Sequence, residues 1–275
     1  MDWILYIKAL ILGIVEGLTE FLPVSSTGHL IVAGDLLHYE GAEADTFYIT
    51  IQAGAIFAVC WHYRTRLIEI LCGLFSQKKQ QKLAINMILA FLPAAVIGVL
   101  VAKHIKFYLF NPVAVATALV IGGLLILWIE TIHSRKNYQP RVKEMDDMTW
   151  VDAFKVGCLQ CLAMIPGTSR SGSTIIGGLV IGLSRKAATE FSFFLSIPTI
   201  FAATIYDLWE SRDLLTTDNL PVIGIGFVVS FFSALIVVRW LLQYVSRNDF
   251  RSFGWYRIFF GGVILITWAT GLVSW

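Results

Sequence analysis

Two carboxylates stand four residues apart in an otherwise apolar part of the chain. Glu16 and Glu20 precede the polar segment 25–29, Ser-Ser-Thr-Gly-His, and apolar residues lie on both sides. Side chains four apart share one helix face, and two carboxylates in a medium of low dielectric repel unless one is protonated or both share a cation. The pair therefore predicts a divalent metal site, with Mg²⁺ or Ca²⁺ held by Glu16 and Glu20 and bridging to phosphate oxygens. Helix capping and a proton or Na⁺ coupling site remain as alternatives.

A single arginine lies in a second polar turn. The segment 166–174, Pro-Gly-Thr-Ser-Arg-Ser-Gly-Ser-Thr, separates two apolar stretches and carries Arg170 at the predicted start of a helix. Backbone N–H groups at a helix N-terminus, hydroxyls and a guanidinium together bind anions, and arginine holds phosphate bidentately. We therefore expect a phosphate or diphosphate here. A structural ion pair is the alternative, and the two overlap because Glu16 or Glu20 could hold Arg170 in the empty site.

The first turn also supplies candidates for a nucleophile and a base. A serine beside a base can attack phosphorus, and a histidine can act as general acid, general base or nucleophile. Ser-Ser-Thr-Gly is also typical of turns and helix caps, but the preceding acidic pair and the matching arginine turn favour a catalytic role for this turn, with its hydroxyls on Ser25, Ser26 and Thr27 and the nearby His29. Gln52, a polar residue in a predicted span, is a candidate substrate ligand, with interhelical hydrogen bonding as the alternative.

The composition places these residues in a membrane. Of the 275 residues 57% are hydrophobic and 15% charged, whereas soluble domains carry about 25% charged residues. The mean hydropathy is +0.72. The first apolar stretch lacks a basic start and contains carboxylates, so no cleavable signal peptide is expected. There is no P-loop, no GxGxxG, no zinc-type spacing of His and Cys, and no basic face suited to nucleic acid.

Broken helices are predicted to carry both polar turns. An apolar helix over 3–20 ends near Pro23 and is followed by a short helix over 29–37; a helix over 149–165 breaks at Pro166 and continues over 173–183. A helix, a polar break and a half-length helix are typical of a re-entrant hairpin, because irregular backbone at membrane depth needs protein or a wet cavity around it. Six further stretches are predicted to span the membrane: 46–63, 84–103, 112–132, 187–206, 221–243 and 254–274.

The order of these elements predicts an all-α integral membrane protein built from two inverted-topology repeats. Each repeat has one re-entrant helical hairpin and three transmembrane helices, giving six spans in a single membrane domain, 1–275. Repeat one covers 1–135, repeat two covers 149–275, and a polar linker, 136–148, joins them. Because three spans are an odd number, the second repeat starts on the opposite side. The two hairpins then enter from opposite faces, and their tips can meet near the midplane.

Lysine and arginine predict the orientation. Cytoplasmic loops are enriched in these residues, and one side collects thirteen of them: Arg64, Arg66, Lys78, Lys79, Lys82, Arg135, Lys136, Arg141, Lys143, Arg185, Lys186, Arg247 and Arg251. The other side has Lys8, Lys103, Lys106 and Arg212. The first side is therefore predicted to be cytoplasmic, with both termini and the mouth of the first hairpin outside.

The two motifs together resemble a known family. Glu-Gly-Leu-Thr-Glu-Phe-Leu-Pro-Val-Ser-Ser-Thr-Gly-His over 16–29 and Pro-Gly-Thr-Ser-Arg-Ser-Gly over 166–172 look like the signatures of bacterial undecaprenyl-diphosphate phosphatase, the bacitracin-resistance protein family. The resemblance covers essentially the whole chain. It implies hydrolysis of undecaprenyl diphosphate to undecaprenyl phosphate and inorganic phosphate, which recycles the lipid carrier for peptidoglycan and other cell-wall glycans, in the bacterial inner membrane with a site open to the periplasm.

The resemblance also implies roles for individual residues. Glu16 and Glu20 would be the acidic, cation-binding pair, Ser26 and His29 the catalytic hydroxyl and imidazole, and Arg170 the diphosphate clamp. Supporting donors would be Ser25, Thr27, Thr168, Ser169 and Ser171. The attacking group is left open between Ser26, His29 and a carboxylate-activated water. A lipid-phosphate flippase is the competing hypothesis, because broken helices in inverted repeats are also transporter architecture. The sequence leaves the oligomeric state open, a homodimer included.

Overall fold

The computed structural model describes residues 3–109, 111–135, 138–210, 212 and 219–271. Within these ranges the regular structure is helical, apart from one isolated bridge between Val142 and Leu183. Parts of three predictions fall outside this description. They are residues 136–137 of the linker, residues 272–274 of the span 254–274, and the side chains of Lys103 and Lys106, which carry part of the orientation.

Eleven α-helices are present in the described ranges: α1 Trp3–Thr19, α2 Ser26–Leu36, α3 Ala42–His62, α4 Arg64–Gly73, α5 Lys78–Leu109, α6 Pro112–His133, α7 Trp150–Gln160, α8 Arg170–Val180, α9 Arg185–Glu210, α10 Leu220–Val245 and α11 Arg251–Ala269. Short 3-10 turns lie at Met145–Asp147 and Cys161–Met164. One helix was not predicted: α4 lies in the connection between the predicted spans 46–63 and 84–103.

Five segments of the described chain are long and apolar enough to cross a membrane: Ala44–His62, Lys78–Val101, Pro112–His133, Arg185–Glu210 and Leu220–Val245. They correspond to five of the six predicted spans, and the protein is a multi-pass membrane protein. The sixth span corresponds to α11, which is not among them. Its first half carries Arg251, Tyr256 and Arg257, which make that half more polar, so the six-span arrangement stays a prediction.

Both short hairpin helices begin three residues earlier than predicted. The sequence pattern assigned the hydroxyl-rich runs to the turns, but α2 begins at Ser26 and α8 at Arg170. The reason is capping: the side chain of Ser25 accepts a hydrogen bond from Gly28 N, and that of Ser169 accepts one from Gly172 N. Because a serine at the N-cap satisfies a free backbone donor of the first turn, the helix starts directly after it.

Helices from the two halves of the chain pack against each other. α1 packs on α10 and α7 packs on α5, while α3 contacts both α9 and α10, and α6 pairs with α11. Small residues permit the close approach: a Cβ added to Gly17 of α1 would lie 2.5 Å from the Ser230 carbonyl oxygen of α10, and one added to Gly157 of α7 would overlap the Ala90 carbonyl of α5. The first helix of each hairpin is thus held by the other half.

Large apolar side chains cover the outside of the bundle, and its mainly apolar interior also buries several charged groups. Val99 and Phe259 are exposed on the helix surfaces, whereas Glu16, Glu130 and Arg257 are buried. A soluble protein would bury its apolar side chains in preference to charged ones. An exposed apolar surface together with buried charged groups fits a bundle surrounded by lipid, with a polar site in its interior.

Candidate active site

The two hairpin turns share an unusual backbone conformation. Ser25 has φ 70° and Ser169 has φ 75°, and among the described non-glycine residues only His38 also has a positive φ. Such a conformation is disfavoured for L-residues and tends to occur at functional sites. The turns are in contact, because the Ser171 Oγ donates a hydrogen bond to the Leu22 carbonyl oxygen at 2.8 Å. The N-termini of α2 and α8 are therefore next to each other.

Glu20 joins the two motifs. The Ser26 hydroxyl donates a hydrogen bond to Glu20 Oε2, and Arg170 Nη2 donates to Glu20 Oε1 at 3.1 Å. Arg170 Nη1 donates to the carbonyl oxygen of Ser192 in α9 at 3.1 Å. One carboxylate thus contacts both the candidate nucleophile and the candidate diphosphate clamp, which is the geometry of a hydroxyl beside a base.

The Glu16 carboxylate makes no hydrogen bond within this network, and the Nε of Arg170 is also buried without a partner in the described part of the chain. Glu16 is fully buried, and neither of its carboxylate oxygens has a hydrogen-bond partner in the described part of the chain. It lies within electrostatic range of Glu20 and Arg170. A buried polar group without a partner costs free energy, so the two oxygens of Glu16 could hold a bound cation.

A cavity of about 610 Å³ opens beside the cluster. Its polar end is formed by Glu20, Ser26 and Arg170, and its wall includes apolar side chains of α5 and α9 such as Phe91 and Ile200. Ligand pockets are commonly about 300–1,000 Å³, with mostly apolar walls and a few convergent polar groups. Four other predicted ligands also line it: Ser25, Thr27, Gln52 and Ser169.

His29 of α2 does not line this cavity. Its Nδ1 donates to the Ser25 carbonyl oxygen at 2.8 Å, so its Nε2 accepts the hydrogen bond from the Tyr256 hydroxyl at 2.6 Å. The ring stacks on Phe260 of α11, with centroids 4.3 Å apart. Both ring nitrogens of His29 are thus engaged by groups other than Glu20 and Ser26, and its catalytic role stays a prediction.

Two other predicted donors also lie off the cavity. The Ser171 hydroxyl is buried in its hydrogen bond to the first turn, and the Thr168 carbonyl oxygen accepts a hydrogen bond from Arg257 Nη1 at 2.9 Å. Both residues hold the turns together in this arrangement.

Two residues that bear on the site were not predicted from the sequence. Arg257 of α11 is buried and contacts both turns, and an arginine within the predicted span 254–274 was a signal that could have found it, because charge is expensive at membrane depth. Gln160, the last residue of α7, lines the cavity, and its Nε2 is buried without a partner in the described ranges. It lies within the apolar helix predicted over 149–165, and that pattern gave no signal of a site.

The fold and this cluster define a multi-pass membrane protein with a buried site of carboxylate, hydroxyl and guanidinium groups between two broken hairpins. The chain matches the family model described as Bacitracin resistance protein BacA over residues 9–263, and it belongs to that family.

Curated relatives match the chain over its whole length. It is 58% identical to the protein named undecaprenyl-diphosphatase 2 of Rhodospirillum rubrum and 58% identical to the undecaprenyl-diphosphatase of Aromatoleum aromaticum. It is 57% identical to the undecaprenyl-diphosphatase of Nitrosospira multiformis. Each alignment covers 100% of this chain and 99% of the relative.

Proposed function

We propose that this protein is a membrane phosphatase that hydrolyses undecaprenyl diphosphate to undecaprenyl phosphate and inorganic phosphate. It recycles the lipid carrier of peptidoglycan and other cell-wall glycans and confers bacitracin resistance. Full-length relatives at 57–58% identity carry the name of this activity. The observation that carries the proposal to this chain is the Glu20 carboxylate, which contacts both Ser26 and Arg170 at the polar end of the cavity.

The cavity suits a lipid diphosphate. A prenyl chain stays in the bilayer, so an enzyme acting on it must bring its site to the headgroup. The polar end would take the diphosphate, with Arg170 as clamp and Ser25, Thr27, Ser169 and Gln52 as donors. The apolar walls from α5 and α9 would take the first isoprene units.

Ser26 is the nucleophile that the hydrogen bonds favour. As its Oγ attacks the terminal phosphorus, its proton passes to Glu20, and undecaprenyl phosphate leaves; water then hydrolyses the phosphoserine. Arg170 would neutralise charge on the phosphoryl group, which is the main requirement of such catalysis. A water activated by Glu20 remains the alternative, and His29 would need to leave Tyr256 to take part in either route.

The acidic pair fits a divalent cation. Glu16 has two buried oxygens without partners, and carboxylate oxygens suit Mg²⁺ and Ca²⁺. No group of three or more His, Cys, Asp or Glu side chains converges within the described residues, so Glu16 and Glu20 would share the ion with substrate oxygens. When bound, the cation would supply positive charge at the diphosphate.

The wider architecture belongs to the same proposal. The exchanged pairing, α1 on α10 and α7 on α5, supports two inverted repeats, 1–135 and 149–275, and the matched φ angles of Ser25 and Ser169 support corresponding turns. We place the protein in the bacterial inner membrane with both termini and the site opening in the periplasm, on the distribution of Lys and Arg.

Phosphate release from a prenyl diphosphate by the purified protein tests the function. We expect release that chelator removes and Mg²⁺ or Ca²⁺ restores. Ser26→Ala and Arg170→Ala should each lower kcat/KM on the order of 100-fold or more, and only the serine route leaves a phosphoenzyme to trap in the wild type. Tight binding of the lipid without any phosphate release would contradict the proposal and favour lipid transport.

A further inference from the structure

We propose that Arg257 is a positioning residue that sets the backbone of both hairpin turns for the diphosphate. The inference deepens the proposed function and rests on it. Arg257 belongs to α11, which contributes no residue to the wall of the cavity. It acts through the turns and does not touch the substrate.

Every N–H group of the Arg257 guanidinium donates a hydrogen bond to a backbone carbonyl oxygen. Nη1 donates to Pro23 O at 3.1 Å and Thr168 O at 2.9 Å, and Nη2 donates to Gly167 O at 2.9 Å. The two remaining donors bind α6: Nη2 contacts Ala118 O at 3.2 Å and Nε contacts Leu119 O at 3.3 Å. An arginine has five N–H donors in a fixed planar fork, and all five are engaged.

One side chain therefore ties three elements together. Pro23 belongs to the first turn, Gly167 and Thr168 to the second, and the last two carbonyls to α6. A lysine has three donors around a single point and cannot make this set of contacts. The fork thus specifies the separation of the two turns as well as their attachment to α6.

The contact with Thr168 also orients a donor at the site. In a planar trans peptide the C=O of one residue and the N–H of the next point in opposite directions. Because the Thr168 carbonyl points at Arg257, the Ser169 N–H points away from Arg257. Ser169 lines the cavity and caps α8, so its N–H belongs to the helix N-terminus that would receive phosphate oxygens.

The neighbouring helix is shaped to admit the guanidinium. A Cβ added to Gly122 of α6 would overlap Arg257 Nη2. Gly122→Ala would therefore displace the fork without changing the arginine, and alanine suits a helix better than glycine. Gly262 of α11 has open space where its Cβ would lie, which makes Gly262→Ala a matched control.

The experiment compares Arg257→Lys and Gly122→Ala with two controls. Gly262→Ala controls for the added methyl group, and Arg185→Lys controls for the loss of an arginine that binds a buried group outside the site, since the partly buried Arg185 pairs with the buried Glu130. For each purified variant we would measure kcat and KM with a prenyl diphosphate, the affinity for inorganic diphosphate by calorimetry, and the thermal unfolding midpoint.

We expect Arg257→Lys and Gly122→Ala to lower kcat/KM about 10- to 100-fold, the cost of misplacing a reactive group by about 1 Å, and to weaken diphosphate binding. Arg185→Lys should lose stability while the folded enzyme keeps its kcat and KM. Normal kinetics and diphosphate affinity in folded Arg257→Lys and Gly122→Ala would overturn the proposal; if the lysine variant does not fold, Gly122→Ala decides. A wild type that releases no phosphate would instead overturn the proposed function, and diphosphate affinity would still test the positioning.

Discussion

Glu16 and Glu20 are chemically identical residues in opposite states. Glu20 accepts hydrogen bonds from Ser26 and Arg170, whereas Glu16 is buried without a partner in the described part of the chain. In the folded protein the Glu20 carboxylate therefore contributes to stability, whereas the unpartnered Glu16 carboxylate lowers it. At the scale of residues, Glu20 therefore joins the two turns, whereas the oxygens of Glu16 remain without a partner in the described part of the chain.

Replacing Glu16 should improve stability and impair activity. Glu16→Gln removes a buried ionisable group that repels Glu20, so the thermal unfolding midpoint should stay equal or rise while kcat/KM falls on the order of 100-fold. Glu20→Gln is the matched comparison: it breaks the contacts with Ser26 and Arg170, and it should lose activity together with about 1–3 kcal/mol of stability. If the Glu16→Gln variant is as active as the wild type, Glu16 has no role in the site.

Glycines determine how closely the helices approach. On α1, Gly13 and Gly17 face α10, where added Cβ atoms would lie 2.7 Å from Gly226 O and 2.5 Å from Ser230 O. Both distances are shorter than an ordinary van der Waals contact, so a side chain there must push α1 away from α10. Glu16 lies in α1 and Glu20 follows its last residue. The close packing of α1 on α10 therefore also determines the position of the two carboxylates.

Gly17→Ala should therefore destabilise the protein although alanine is the better helix former. We expect a loss of about 1–3 kcal/mol from overpacking, measured as a lower unfolding midpoint in detergent. Gly224→Ala on α10 is the control, because a Cβ there meets nothing within 4 Å. Equal midpoints for the two variants would contradict the close α1–α10 contact.

An ion-pair cluster ties α4 and α5 to the connection between the halves. Asp146 binds Arg66 at 2.7 Å and Lys79 at 2.7 Å. Burial opposes ionisation of Asp146, but the hydrogen bond from Lys79 and the charges of Arg66 and Lys79 outweigh it and lower its pKa. A lowered pKa in the folded state gives stability that is full above the ordinary pKa of an aspartate and is lost as the pH falls through the lowered value.

Asp146→Asn should therefore cost up to about 1 kcal/mol near neutral pH, because the pair is partly exposed, and nothing at low pH. Unfolding midpoints of the wild type and the variant, measured against pH, should converge as the carboxylate of the wild type is protonated. Glu144→Gln, which removes the more exposed pair with Lys186, should have a smaller effect. Parallel curves at every pH would show that Asp146 ionisation does not stabilise the fold.

At the scale of the whole molecule, the charge distribution predicts which side faces outward. α3 separates the loop before it from the basic segment around α4, and its 21 residues are long enough to cross the hydrocarbon core. A cysteine-free background requires replacement of Cys60, Cys72, Cys158 and Cys161.

In that background, an impermeant thiol reagent on intact cells should label Glu40→Cys and not Ser76→Cys. Both positions are exposed, and Ser76 lies at the end rich in Lys and Arg. Labelling of both variants after the membrane is opened controls for reactivity. Labelling of Ser76→Cys alone in intact cells would reverse the orientation.

The local and compositional features of this protein could be predicted from its sequence. The membrane class, five spans, both broken hairpins and the family follow from hydropathy and from residues that are close in the chain, because the lipid phase and helix-breaking turns act on short segments. The predicted starts of α2 and α8 were three residues too late. A serine side chain can stabilise either a turn or a helix N-cap, and the local sequence does not distinguish the two.

Only the tertiary structure decided which chemical groups meet. The contact between Arg170 and Glu20 joins residues 150 positions apart, and that between Arg257 and Pro23 joins residues 234 apart. In the tertiary structure His29 also forms a hydrogen bond with Tyr256, although His29 and Ser26 are close together in the same short helix. Helix packing and rotamers choose such partners, and these depend on the whole bundle. The sequence therefore determined the chemistry available at the two turns, and the packing of α11 and α9 around them decided which residues can use it.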